Sequence, residues 1–202
     1  MMPRQDQQNK QIRDERRAQI LQAALRVFAR RGMVAAKISD IAKEAKLSHG
    51  LVYHYFKSKE EIFMTLVQKA LESSLNVIYY ANEQVGTPLE KLRWMTEQIM
   101  KSINNGEEVL LFLIMIQAST SDIVSEEVKE ILTGEHAVSP VMATIPLIME
   151  GQKVKEIKQE DPVQLAVTYY AFIQGLAINK IQWEECPMPE AHLIMNIFKK
   201  TP

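Results

Sequence analysis

The stretch Ile38-Ser-Asp-Ile-Ala-Lys-Glu-Ala-Lys-Leu-Ser-His-Gly-Leu-Val-Tyr-His-Tyr-Phe56 decides the fold. Its pattern predicts two short helices, about Ser39–Ala45 and Ser48–Phe56, with a tight turn between them. Ile41, Ala45, Leu47 and Val52 are placed to form a small shared core, and Ala42 is small where the helices approach most closely. Ser48 caps the second helix through its hydroxyl. Two short helices held at a sharp angle, with the second left free for a major groove, make a helix-turn-helix.

The residues around this core resemble the TetR family of transcriptional regulators. That family reads Asp-Ile-Ala, then Ala-Gly-Val-Ser, then Gly-Thr-Leu-Tyr with an aromatic pair, then Ser-Lys-Glu. This chain has Asp40-Ile41-Ala42, Ala45-Lys46-Leu47-Ser48, Gly50-Leu51-Val52-Tyr53-His54-Tyr55-Phe56 and Ser58-Lys59-Glu60. The match is specific over roughly residues 13–65; beyond it the likeness lies in helix layout and in the segment from Asp161-Pro162 to Gly175-Leu176. Two positions depart from the pattern. Lys46 replaces the usual turn glycine, where a left-handed backbone is expected, at a cost on the order of 1 kcal/mol. Leu51 replaces a common threonine, so it can touch a thymine methyl but cannot hydrogen-bond a base edge.

The resemblance implies a set of DNA contacts. His49, Gly50 and Leu51 would face the groove floor, with Gly50 permitting close backbone approach. Tyr53, His54 and Tyr55 would reach phosphates and base edges, although Tyr55 can instead belong to the core. Lys59 would pair with a phosphate. Lys37 and Ser39 would meet the DNA from the first helix, with Lys46 and Ser48 at the turn.

Charge distribution points the same way. Net charge is only −1, but residues 1–60 hold thirteen Lys and Arg against six Asp and Glu, a balance of +7, and the remainder carries −8. A basic module joined to an acidic body suits a partner of phosphates. The single cysteine, Cys186, excludes an intrachain disulfide and a cysteine metal cage. His49, His54, His136 and His192 have no metal-ligand spacing, so neither metal nor other cofactor is expected. The longest apolar run, Val109–Ile116, is too short for a membrane span, and the polar N-terminus lacks a signal-peptide core. A cytoplasmic location is expected, with no membrane partner.

Along the chain, residues 1–12 read as an irregular tail. A first helix from Arg13 places Ile20, Ala24 and Phe28 on one stripe beside Leu21 and Leu25, and stops at Gly32. Ser58 caps a long fourth helix that reaches about Gln84. Helical segments follow near 88–105, 107–119, 122–133 and 137–151. After a Lys-, Gln- and Glu-rich linker, one helix runs from Pro162, capped by Asp161, to about Trp183, and a last one from about Glu190 to Lys200. No segment alternates like a strand. The expected fold is all-α: a three-helix DNA-binding domain over 13–60, then a larger ligand-binding and dimerisation domain over 61–202.

The resemblance implies a homodimer on double-stranded operator DNA, a small-molecule effector, and repression relieved when that effector binds. Candidate pocket residues are Trp94, Phe112, Met115, Gln117, Met142, Tyr169 and Gln174, and flexible methionines suit such a lining. No Lys or Arg lies between Asn104 and Val128, which favours a neutral or lipophilic effector. The last two helices would dimerise, through Leu165, Phe172, Leu176, Ile194 and Ile197, with Gly175 permitting close crossing. No catalytic constellation or phosphate-binding glycine loop stands out, so an enzyme is not expected. The alternative is an all-helical small-molecule binder or enzyme that keeps the fold without regulating DNA.

Overall fold

The computed structural model describes residues 3–121, 124–135 and 137–200. It is all-α, and no strand occurs among the described residues. Helix α1 (Pro3–Ala35) starts at Pro3, where an irregular tail was expected. Nothing between Pro3 and Gly32 breaks a helix, and the Gln11 amide donates to Glu15 one turn on, at 3.0 Å. Gly32 interrupts the helix with φ 72° and ψ 161°, a conformation that suits only glycine.

Next come α2 (Ile38–Glu44) and α3 (His49–Tyr55), each seven residues long. The turn between them passes through Lys46 at φ 55°, the left-handed backbone expected there. Helix α4 (Lys59–Glu83) is capped by Ser58 Oγ, which accepts the Glu61 N–H at 3.2 Å. Helices α5 (Pro88–Asn104), α6 (Val109–Thr120), α7 (Glu126–Thr133) and α8 (Pro140–Lys153) follow. Residues 122 and 123, on which the expected helix 122–133 begins, lie outside the described residues, as does His136. Each of these four helices starts where it is capped or constrained, except α6; Thr87, Ser125 and Ser139 accept the N–H three residues on.

Helix α9 (Pro162–Gln182) begins as expected, with Asp161 accepting the Gln164 N–H at 2.8 Å and proline at the first helical position. The final helix is much shorter than expected. Helix α10 (Ala191–Ile194) passes directly into a 3-10 turn over Met195–Ile197. The chain then folds back so that the Phe198 ring lies 5.4 Å from Tyr169 and its carbonyl accepts the Lys158 N–H at 2.9 Å.

Two buried clusters organise the molecule. The first joins α1–α3 and the beginning of α4, as far as Val67, to Ile114 and Ala118 of α6 and Val128 of α7. The second joins the far end of α4 to α5, α8, α9 and the C-terminal turn. Tyr169 is fully buried in the second, and its hydroxyl meets Thr96 Oγ1 at 3.0 Å. Thr96 gives its own proton to the Leu92 carbonyl, which leaves its oxygen to accept from the tyrosine. Burial pushes the Tyr169 phenol well above the ordinary tyrosine range.

The strained turn gives a direct test of the local physics. Lys46→Gly should stabilise the protein by about 1 kcal/mol. A higher urea midpoint with an unchanged slope would report that gain; an unchanged or lower midpoint would show that the left-handed turn is not strained.

Candidate nucleic-acid interface and ligand cleft

Helix α3 is set by one cap and one buried side chain. Ser48 Oγ accepts the Leu51 N–H at 3.2 Å, and Val52 is completely buried against Ile41 and its neighbours. That orientation leaves His49, Gly50, Tyr53 and His54 exposed and Leu51 half-exposed. The His49 and Tyr53 rings meet edge to face at 4.9 Å, so the outward surface is partly ordered by its own contacts. A side chain added at Gly50 would meet nothing within 4 Å. The fold therefore gives no reason for a glycine at that position.

Lys37, Ser39, Lys46 and Ser48 are exposed beside this face. Lys37 opens α2, its N–H donating to Asp40 Oδ2 at 3.2 Å. Tyr55 sits apart from the exposed set. It is half-buried against the first cluster, and its carbonyl accepts from Arg17 at 3.2 Å. The same guanidinium lies 4.2 Å over the Phe56 ring.

Lys59 is placed differently from the phosphate-pairing role that the resemblance implies. Its Nζ donates to the carbonyls of Met33, Val34 and Ala36 at 3.0, 2.8 and 3.0 Å. An ammonium has three N–H groups, so this arrangement leaves none for a phosphate. The cation instead closes the C-terminal end of α1, where the helix dipole favours positive charge.

A cleft opens between α4, α5, α6 and α9. Its narrow end is bordered by Val77, Ile99 and Leu111 together with Gln98, Ser102 and Glu108. It continues past Phe112, Met115, Tyr170 and Ile173 into a wider part of about 560 Å³ that reaches Leu132, Val138 and Gln174. Three predicted pocket residues thus line it: Phe112, Met115 and Gln174.

The other four do not. Tyr169 is committed to Thr96 in the core, and its neighbour Tyr170 faces the cleft. Adjacent helical residues differ by about 100° in direction, and the sequence offers two tyrosines in succession without saying which turns inward. Burial raises the Tyr170 phenol to about 12, while its hydroxyl meets Thr144 Oγ1 at 2.9 Å. Trp94 packs beside the second cluster, and Met142 is exposed on the outer face of α8. Gln117 points toward α1, donating to the Phe28 carbonyl at 3.2 Å.

Gln98 and Ser102 were not expected. They lie four residues apart, on one side of α5, at the border of its apolar face, and that spacing is the signal that could have found them.

The expected dimer residues also divide. Leu165 and Ile194 are buried inside the monomer, because α9 and α10 turn those positions onto α5 and α8; they are not available to a partner. Phe172 is exposed, and Leu176 and Ile197 are half-buried. Exposed apolar side chains occur at Val163, Val167, Phe172 and Ile178 of α9, Met142 and Met149 of α8 and Leu193 of α10.

Face and cleft are joined by a polar clamp. Glu107, just before α6, accepts from Gln22 and from Arg26, whose Nε is 3.0 Å away. Arg26 also reaches Glu44 of α2 at 3.5 Å. The hydrogen bond from Arg26 holds the Glu107 carboxyl below the usual carboxylate range. The contact is therefore retained at neutral pH and lost only as pH falls through that lowered value. Glu108, the next residue, lines the cleft.

Comparison with known proteins bears on this arrangement. Residues 20–66 match the family model described as bacterial regulatory proteins, tetR family. The chain is 28% identical over 149 residues to the fatty acid metabolism regulator protein of Bacillus subtilis, covering 73% of this chain and 74% of that one. It is 37% identical over 79 residues to the HTH-type transcriptional regulator HbdR of Aromatoleum, covering 39% of this chain and 34% of that one. The chain thus spans only about a third of HbdR. Among solved structures, the fatty acid degradation regulator FadR from Bacillus halodurans superposes with a TM-score of 0.69 at 21% identity, covering 90% and 92% of the two chains; that likeness shows the fold. Residues 20–66 thus carry the helix-turn-helix domain of the tetR family of bacterial regulatory proteins, and over most of its length the chain shares the fold of the fatty acid degradation regulator.

Proposed function

We propose that this protein is a homodimeric cytoplasmic repressor that holds operator DNA through α3 and releases it when a lipophilic small molecule enters the cleft. In this reading residues 13–60 are the DNA-binding domain and 61–202 the ligand-binding and dimerisation domain, with Ile62–Val67 of α4 packed into the core of the first. The protein is a binder and carries out no catalysis.

The observation that carries the reading is the outer face of α3. His49, Gly50, Tyr53 and His54 are exposed in the most basic part of the chain, on a helix fixed from behind by Val52. A glycine with open space around it fits a surface that another molecule must approach closely. Fatty acid regulators among the relatives and the apolar lining at Phe112, Met115 and Ile173 support a lipophilic ligand.

Release would be a shift between two arrangements of α1–α3 relative to the body. One helix-turn-helix reads few bases, so two must sit about 34 Å apart in successive major grooves. A ligand bordered by Glu108 would act next to the clamp of Glu107 on Arg26 and Gln22, and through α4, which enters both buried clusters. Ligand and DNA would then oppose each other to the same extent.

Four tests bear on this reading. Gly50→Ala should raise stability by about 0.5–1 kcal/mol through helix propensity yet weaken operator binding in a gel shift; full affinity in the stabilised variant would remove α3 as the docking face. Tyr53→Ala should weaken binding at every sequence, His49→Ala should change preference among sequences, and binding should fall steeply with salt as phosphate contacts release counterions. Phe172→Glu or Ile178→Glu should yield a folded monomer by light scattering, and a dimer retained in both would rule out the α9 interface. Glu107→Gln should leave DNA and ligand binding measurable by themselves but reduce their mutual antagonism, so undiminished antagonism would exclude the clamp as a coupling element.

A further inference from the structure

We infer that the ligand of the cleft is an amphiphile whose head group donates hydrogen bonds and bears no negative charge, such as a long-chain alcohol or amine, with that head seated at the narrow end beside Gln98, Ser102 and Glu108. This rests on the proposal that the cleft is the effector site and specifies what kind of effector it takes.

The narrow end is where polar capacity is left over. Three hydroxyls lining the wider part give their protons to carbonyls of their own helix: Ser119 to Met115, Thr120 to Ile116 and Thr133 to Lys129. At the narrow end Ser74 does the same toward Ala70. Among the described residues, the side chains of Gln98 and Ser102 make no hydrogen bond, although both are half-buried. Polar groups so placed favour a ligand that satisfies them.

Charge then decides the sign of the head. Among the described residues, no Lys or Arg lines the narrow end, and the one carboxylate there is Glu108. A ligand carboxylate would be moved from water to a site with a like charge and no cation, which is costly. Among the described residues, the sole basic one lining the wider part is Lys129, whose Nζ lies 2.7 Å from Glu126, so that cation already has a counter-charge. An ammonium can instead donate to both Glu108 and the Gln98 carbonyl oxygen, and a hydroxyl can donate to Glu108 while accepting from the Gln98 amide or the Ser102 hydroxyl. The chain of either runs along Ile99, Phe112 and Ile173. A head at this place also sits one residue from Glu107.

The test uses the full-length protein with three probes matched in chain length, dodecanol, dodecylamine and dodecanoate. Affinity is read by calorimetry, and release of DNA by gel shift. Dodecanol or dodecylamine should bind at least about tenfold more tightly than dodecanoate and release DNA at lower concentration. Glu108→Gln, at an exposed position whose amide oxygen can still accept from Asn105 as the carboxylate does at 3.0 Å, should narrow that preference, and Gln98→Leu should weaken binding of the alcohol. Dodecanoate bound most tightly, with the advantage lost in Lys129→Ala, would overturn the head-group assignment while leaving the cleft as the effector site. Equal affinity for all three, unchanged in Glu108→Gln, would overturn it too. Failure of every probe to bind or to release DNA would remove the lipophilic-effector reading itself, and this inference with it.

Discussion

The rings of Phe28 and Phe63 meet edge to face at 5.4 Å, and that contact fixes α1 against α4. Two helices of seven residues bury too little surface to hold a relative angle unaided. Here Ile41, Ala42, Ala45 and Val52 close over the core that α1 and α4 supply, and all four are buried. Aromatic pairs of this geometry contribute about 0.5–1.5 kcal/mol beyond their buried area. The greater consequence is geometrical. With Val52 anchored inward, the exposed face of α3 has one direction, and Lys59 ties the end of α1 to the start of α4 immediately beside it.

The same core would let a ligand in the cleft, as proposed, act on the distant face of α3. It does not end with the three N-terminal helices: Ile114, Ala118 and Val128 belong to it, and α6 carries both these residues and the cleft-lining Phe112 and Met115. In the proposed mechanism, displacement of α6 by a bound chain would be felt at the packing of α1 as well as at the Glu107 clamp. Both are contacts between close-packed groups, which move between discrete arrangements more readily than they stretch. The buried, unpartnered carbonyl oxygen of Gln117 lies on this same helix, while its amide holds the Phe28 carbonyl.

Much of the fold was legible because local chemistry and burial agree. Ser48, Ser58 and Asp161 cap the helices that their positions predict, and Ile20, Ala24 and Phe28 are buried together as their spacing requires. Lys46 adopts the left-handed backbone that its place in the turn implied. The misreadings arise where long-range packing chooses between locally equal options. Tyr169 and Tyr170 are indistinguishable by composition, and only the seating of α9 on α5 and α8 sends one to Thr96 and the other to the cleft. Leu165 and Ile194 are as apolar as any interface residue, but the monomer uses them. Lys59 occupies its motif position and still turns its charge to carbonyls of α1, a contact 23 to 26 residues away in sequence that no motif records.

The central claim is that α3, presented twice by a symmetric dimer, reads operator DNA. Selection of bound sequences from a random DNA pool tests it most directly. The account predicts enrichment of a two-fold-symmetric site whose half-sites are separated by about 10–10.5 base pairs or a multiple of that spacing. A pool that shows no enriched sequence, or an enriched site without two-fold symmetry, would contradict it.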